Sequence, residues 1–221
     1  MAFPRKCVQC GSTGKWVCAT CQAQVHWMQP PLCECCGREV GAGNRCQDCA
    51  RDRPNIDGIR ACSRFEGAIR EAVHRLKYNG QRALADPLAG YLAPLATSLP
   101  DVDALVPLPL HPKRERQRGY NQASLLAASL GERLRLPVLP IALRTRDTES
   151  QVGKSRRERV ANVRGAFACT APEQVGGRRL LLVDDVCTTG STLVACAEPL
   201  FRAKAESVWG LVVARQDYER T

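Results

Sequence analysis

The sequence lacks the features that mark membrane-spanning, exported and histidine-dependent proteins. No apolar run approaches the ~18 residues of a membrane-crossing helix, so insertion into a bilayer is not expected. The opening Met1-Ala2-Phe3-Pro4-Arg5-Lys6-Cys7 has no apolar signal core, and a cytoplasmic location is the expectation. Histidine is scarce, and His26, His74 and His111 form no spaced triad; each suits packing or a helix face better than catalysis. Aromatic residues make up only 5% of the chain. At 44% hydrophobic over 221 residues, aliphatic side chains still suffice for one ordinary domain core with room for a small appendage, which argues against extended disorder.

Cysteine, by contrast, is abundant. Nine of the 13 Cys precede residue 50. Without an export signal, metal ligands and free thiols are a better reading than disulfides. Four Cys-x-x-Cys pairs occur in order, Cys7/Cys10, Cys18/Cys21, Cys33/Cys36 and Cys46/Cys49. A two-residue spacer lets both sulfurs of a tight turn reach one ion, and two such turns complete a tetrahedral thiolate site with no open position for water. The expectation is two structural Zn²⁺ ions that fold a segment too short and polar for a core of its own. Sequential pairing is favoured, with an interleaved arrangement as the alternative. Cys35 breaks the spacing and is a spare thiol or a competing ligand, while Trp16 and Trp27 suit covering the metal turns better than stacking on bases.

Positive charge is equally localised. The formal net charge is +10, and residues 111–165 alone carry +8. Metal chemistry and anion chemistry therefore belong to different parts of the chain. The boundaries follow: a cysteine-rich zinc module at 1–52, a helical linker or hood region at 53–100, and an α/β domain at 101–221.

Apolar spacing predicts helices over 66–78 and, through Leu84, Leu88, Leu92 and Leu95, before Pro100. From residue 102 strands and helices alternate: strands at 102–108, 138–143, 166–169, 180–183 and 208–213, helices at 121–135 and 191–203. An open, mostly parallel sheet flanked by helices accommodates this order. The run Leu180-Leu-Leu-Val183 suits a central strand buried on both faces.

That run leads into Asp184-Asp185-Val-Cys-Thr188-Thr189-Gly190-Ser191-Thr192. Open α/β sheets bind ligands beyond the carboxyl ends of their strands, and a hydroxyl-rich turn entering a helix can cradle a phosphate with backbone N–H groups. Two acids beside a phosphate are costly unless they meet neutral hydroxyls or a metal. Ribose hydroxyls satisfy them: Asp184 and Asp185 would accept from the 2′ and 3′ hydroxyls while the turn holds the 5′ phosphate. A P-loop would need a Gly-Lys-Ser/Thr ending, and the turn has no Lys.

The segment Val183-Asp-Asp-Val-Cys-Thr-Thr-Gly-Ser-Thr192 resembles the 5-phosphoribosyl-1-pyrophosphate (PRPP) motif of type I phosphoribosyltransferases. Nearly the whole chain resembles the ComF family, also called amidophosphoribosyltransferase-like or GntX-like, whose members join a cysteine-rich zinc head to a phosphoribosyltransferase domain. Leu76-Lys77-Tyr78, Val106-Pro-Leu-Pro-Leu-His111-Pro, Arg118-Gly-Tyr-Asn-Gln122, Gln151 and Asn162-Val163-Arg164-Gly-Ala-Phe167 match the same pattern, and Cys187 is a departure that a small side chain makes tolerable.

The resemblance implies a type I phosphoribosyltransferase-like fold binding PRPP with Mg²⁺ and, as an enzyme, a pentosyl-transferring glycosyltransferase that releases pyrophosphate. Asp184 and Asp185 would be the catalytic-site acids, and Thr188, Thr189, Gly190, Ser191 and Thr192 would hold the phosphate. Lys113 and Arg118, near the loop after the first core strand, and Lys154 and Arg156, in a mobile loop at 144–164, would meet the pyrophosphate; Arg114, Arg116, Arg157 and Arg159 lie nearby. Spacing alone makes none of these cations catalytic. The family's association with transformation implies an alternative role, a non-catalytic accessory that binds single-stranded DNA and meets protein partners during DNA uptake. Tyr120 would stack on a base or ribose, or pack at a helix start.

Overall fold

The computed structural model of the chain describes residues 4–147 and 161–216. Gln151, Gly153, Lys154, Arg156, Arg157 and Arg159, expected in a lid, lie outside the described residues. The elements, in order, are α1 (Ala19–Ala23), α2 (Gln47–Arg51), β1 (Gly58–Arg64), α3 (Gly67–Tyr78), α4 (Ala85–Thr97), β2 (Ala104–Pro107), α5 (Pro112–Arg118), α6 (Gln122–Leu134), β3 (Ala142–Arg144), β4 (Phe167–Cys169), β5 (Arg179–Cys187), α7 (Ser191–Arg202) and β6 (Ser207–Arg215).

Four parallel strands form the main sheet in the order β1-β6-β5-β2. Leu180 to Val183 in β5 are all fully buried, each contributing ~2 kcal/mol of transfer free energy. Because strand side chains alternate, Leu181 and Val183 join a core with Leu88 and Leu92 of α4 and Leu126 and Leu130 of α6, whereas Leu180 and Leu182 meet Leu193, Cys196 and Leu200 of α7. Helices thus cover both faces, as an all-parallel sheet requires.

Two strand expectations change. The stretch 138–143 is divided: Val138 makes a lone parallel bridge to Leu105, and Ala142–Arg144 forms β3. Pro140 has no N–H for a continuous ladder. The stretch 166–169 supplies β4, which pairs antiparallel with β3 in a separate ribbon rather than joining the main sheet. α4 starts at Ala85, so Pro87 falls in its first turn, where a missing N–H goes unnoticed.

The segment 53–100 also holds β1, a strand that hydrophobic periodicity does not announce. On its inner side β1 pairs with β6. On its outer side it receives the head: Met28 N–H donates to the Cys62 carbonyl (2.9 Å), Arg64 N–H to that of His26 (2.9 Å), and Ile59 N–H to that of Cys35 (2.9 Å). The cysteine-rich head therefore covers an edge that would otherwise present unpaired backbone groups.

Candidate functional site

The carboxyl edge of the main sheet opens into a cleft of about 200 Å³ lined by Lys77, Arg114, Gln122, Arg144, Asp184, Asp185 and Thr192 together with the 108–110 segment. The alternation of β5 sends its two acids to opposite faces. Asp185 shares the face of Leu181 and Val183, and α3 ends against it, placing Lys77 Nζ 2.7 Å from Oδ1. Its other oxygen, Oδ2, is buried and has no hydrogen-bond partner among the described residues. Asp184 accepts from the Asp185 N–H (2.8 Å). Burial, and then the neighbouring Asp185 charge, push the Asp184 carboxyl up to about 7; Lys77 and Arg144 oppose the shift.

The opposite wall is cationic. Arg144 ends β3, is 7% exposed and lies over the Phe167 ring at 5.5 Å. Burial, then the nearby Arg114 guanidinium, lower its pKa from the ordinary arginine value. Arg114 Nε stands 3.4 Å from Asp147 Oδ1. Lys113 and Arg118 border the cleft without lining it. Lys113 is exposed, 3.9 Å from Asp147, and Arg118 lies over the exposed Tyr78 ring at 5.3 Å and donates to Gln122.

The turn after β5 is internally braced. Thr189 and Ser191 hydroxyls are 2.8 Å apart, Thr188 turns its carbonyl toward Arg215, and Gly190 takes a left-handed φ of 80° before α7 begins. Thr192 lines the cleft. Cys187 is buried, with Sγ 3.6 Å from Arg215 Nη1, so the departure from the motif fills a packed position. Tyr120 packs: it is 8% exposed, its hydroxyl donates to the Leu76 carbonyl, and Arg82 covers its ring at 4.6 Å. His111 caps α5, accepting from Lys113 N–H (3.3 Å), and His74 lies against Tyr78 with ring centroids 4.8 Å apart.

Lys77, Arg144 and Arg215 are the residues that spacing did not place. Lys77 entered only through the family-matching Leu76-Lys77-Tyr78, Arg144 only as the border of the basic loop at 144–164, and Arg215 lay beyond the strand expected at 208–213. Their roles depend on the sheet order, which brings α3, β3 and β6 to one edge.

In the head, Cys7, Cys10, Cys18 and Cys21 converge in one cluster and Cys33, Cys36, Cys46 and Cys49 in another, the sulfurs of each within 4.8 Å of one another. Facing pairs, Cys10/Cys18 and Cys36/Cys46, are 3.6 and 3.7 Å apart. Zinc–sulfur bonds of about 2.3 Å in a tetrahedron put sulfurs about 3.8 Å apart, so both clusters fit zinc, and the grouping is sequential. Cys35 belongs to neither cluster. Trp27 packs on Tyr91 (centroids 5.0 Å apart), and Trp16 lies against the core that contains Cys7 and Cys21.

A parallel sheet whose carboxyl edge carries paired acids and a braced turn into a helix defines a phosphoribosyltransferase-type domain, and the phosphoribosyl transferase domain family matches residues 117–219. The double zinc ribbon domain family matches residues 1–50. Competence protein F of Haemophilus influenzae is 31% identical, with 96% of this chain and 98% of that one covered. DNA utilization protein YhgH of Escherichia coli is 32% identical (90% and 91% covered), and competence protein ComFC of Bacillus subtilis 28% (90% and 84%). The chain belongs to the ComF/ComFC family of competence proteins, with a double zinc ribbon ahead of a phosphoribosyltransferase domain. Among solved structures, glutamine PRPP amidotransferase from B. subtilis is similar at 18% identity and a TM-score of 0.41, covering 58% of this chain and 26% of that one. No helix among the described residues is long and apolar enough to cross a membrane.

Proposed function

We propose that the cleft binds PRPP with Mg²⁺ and transfers its phosphoribosyl group to a nitrogen nucleophile, releasing pyrophosphate. The observation that carries this reading is the Asp184-Asp185 pair at the carboxyl edge of β5, running directly through the braced turn into a 12-residue helix across the cleft from two arginines. Asp184 accepts a ribose hydroxyl. Lys77 holds Asp185 in place. Thr192 and the α7 N-terminus hold the 5′ phosphate, while Arg114 and Arg144 face the pyrophosphate, with Lys113 and Arg118 on the rim.

Breaking the C1–oxygen bond leaves positive charge on the ribose and negative charge on the departing oxygen, so the cationic wall would favour the transition state over the bound ground state. The donor set also fits a divalent cation: buried Asp185 and half-buried Asp184 line the same cleft, and Asp185 Oδ2 has no hydrogen-bond partner among the described residues. Bound Mg²⁺ would supply further positive charge against the pyrophosphate oxygens.

The names of the relatives, together with exposed Lys113 and Arg116 on α5, favour a second and compatible role in handling single-stranded DNA, with protein partners, during uptake in the cytoplasm. Calorimetric titration of zinc-loaded protein with PRPP and Mg²⁺ tests the first reading. Saturable heat is expected from wild type and is lost in Asp184→Asn/Asp185→Asn. No heat from folded wild type overturns PRPP binding, and undiminished heat from the double variant removes the carboxylates from the site. Candidate bases and single-stranded DNA, added next, report the acceptor and the second role.

A further inference from the structure

The least expected buried group in the protein is the guanidinium of Arg215, at the end of β6 and 1% exposed. Isolated burial of a cation is costly, so its partners define what it is for. Nη1 donates to the carbonyl of Cys36 at 2.6 Å and approaches Cys187 Sγ at 3.6 Å, and Nη2 donates to the carbonyl of Thr188 at 3.1 Å. Cys36 belongs to the second thiolate cluster, and Thr188 opens the turn that leads into α7. One planar group, with its donors in a fixed fork, therefore spans from a metal knuckle to the phosphate turn.

An apolar contact runs beside this polar one. A Cβ on Gly37, which has φ of 69°, would stand 2.3 Å from the Ile59 carbonyl oxygen; one on Gly190 would stand 2.6 Å from Ile59 Cδ1. Knuckle, β1 and turn are thus stacked with no space between them. The first cluster docks elsewhere: Arg75 of α3 donates to the Val8 carbonyl (2.7 Å), and Gln22 meets Tyr91 of α4 (3.4 Å).

We propose that Arg215 is a positioning residue that makes the phosphate turn, Thr188 to Thr192, depend on metal in the second cluster and not in the first. Metal loading fixes the Cys33–Cys36 knuckle, and with it the Cys36 carbonyl. Arg215 is held between that carbonyl and the Thr188 carbonyl, so the turn keeps its conformation while the knuckle keeps its own. The ligand consequence rests on the phosphate-site reading above, whereas the mechanical coupling does not. If the turn binds phosphate, coupling is reciprocal, and a bound ligand raises metal affinity at the second cluster alone.

Hydrogen exchange at the amides of 188–192, read by mass spectrometry on the full zinc-loaded chain, tests the coupling without any ligand. Arg215→Met keeps all eight cysteines and is expected to speed exchange at these amides about tenfold, with the β5 core unchanged. Arg215→Lys keeps the charge but loses the fork and is expected to fall between. Cys49→Ser should loosen the turn as Arg215→Met does, whereas Cys10→Ser should leave it at the wild-type rate. Exchange in Arg215→Met equal to wild type, or equal loosening by Cys10→Ser, overturns the proposal. Should Cys49→Ser not fold, stepwise zinc removal from wild type by a chelator takes its place, and exchange at 188–192 unmoved by loss of the second-cluster ion overturns the metal dependence. Titration with PRPP and Mg²⁺ separates the two claims: about tenfold weaker binding by Arg215→Met is expected. Absence of binding by wild type defeats the phosphate reading and leaves the exchange result to judge the coupling.

Discussion

Lys77 Nζ lies 2.7 Å from Asp185 Oδ1, joining the last turn of α3 to the carboxyl edge of β5; the carboxylate is 2% exposed. Burial alone would lower the Lys77 pKa, but the Asp185 and Asp184 charges outweigh it and raise it above the ordinary lysine value. Lys77 is therefore protonated at neutral pH, and the helix is locked onto the strand that bears the candidate site.

Removing one partner of a buried pair leaves the other uncompensated. Lys77→Met is expected to cost ~3 kcal/mol in urea unfolding, and Asp185→Asn added to it should recover much of that loss because no orphan charge remains. Strictly additive effects of the two changes would show that the contact carries no coupling energy.

The Asp184 carboxyl, held up to about 7 by burial and by Asp185, sets a pH dependence of definite sign. Its folded value lies above the unfolded 3.8, so its contribution is fully present below about pH 4 and is lost as pH rises through 7. Asp103, held down to about 2 by hydrogen bonds from Arg179, acts the other way and below this window: its contribution is present above about pH 4 and is lost as pH falls through 2. Stability of wild type relative to Asp184→Asn is therefore expected to be highest near pH 4 and to reach a lower plateau above about pH 7. Parallel urea-unfolding curves at pH 4, 6 and 8 check this, and a difference that grows with pH contradicts it.

Metal content separates ligands from bystanders. Two zinc ions per chain are expected from wild type, and also from Cys35→Ser, because Cys35 contributes its carbonyl to Ile59 and its sulfur lies outside both clusters. Cys49→Ser should retain one ion firmly bound. Loss of zinc in Cys35→Ser would mean that this thiol competes for the second site.

What could be read from residues alone was local. Leu180 to Val183 is a short apolar run ending at acids and hydroxyls, and α3, α6 and α7 carry apolar residues at helical spacing, so the sheet core and the strand-to-helix turn after it were legible. β1 was not: Gly-Ile-Arg-Ala-Cys-Ser-Arg has mixed polarity, and it becomes a strand because β6 pairs with one side and the head with the other. The same holds for the site. Asp184 and Asp185 announce themselves as candidates, while Lys77 and Arg144 join them in one cleft only when helix and ribbon are laid at the same edge. Pro140 was visible, yet its effect on the 138–143 strand needed the partner strands to be known.

The proposed role of the basic segment in DNA binding rests on exposed cations that do not line the cleft. Lys113 and Arg116 project from α5, Lys113 outside the cleft with a side chain 63% exposed. If both contact phosphates of single-stranded DNA, each accounts for a slope of about −0.7 in log affinity against log salt. Lys113→Ala/Arg116→Ala should therefore flatten the slope by about 1.4 and weaken binding most at low salt, with PRPP binding changed far less than by Asp184→Asn/Asp185→Asn. Fluorescence anisotropy with a labelled oligonucleotide at several salt concentrations reads both quantities. An unchanged slope moves the DNA contact off α5. A flattened slope accompanied by equal loss of PRPP binding would place the two ligands on the same cations, so that DNA and PRPP compete rather than bind side by side.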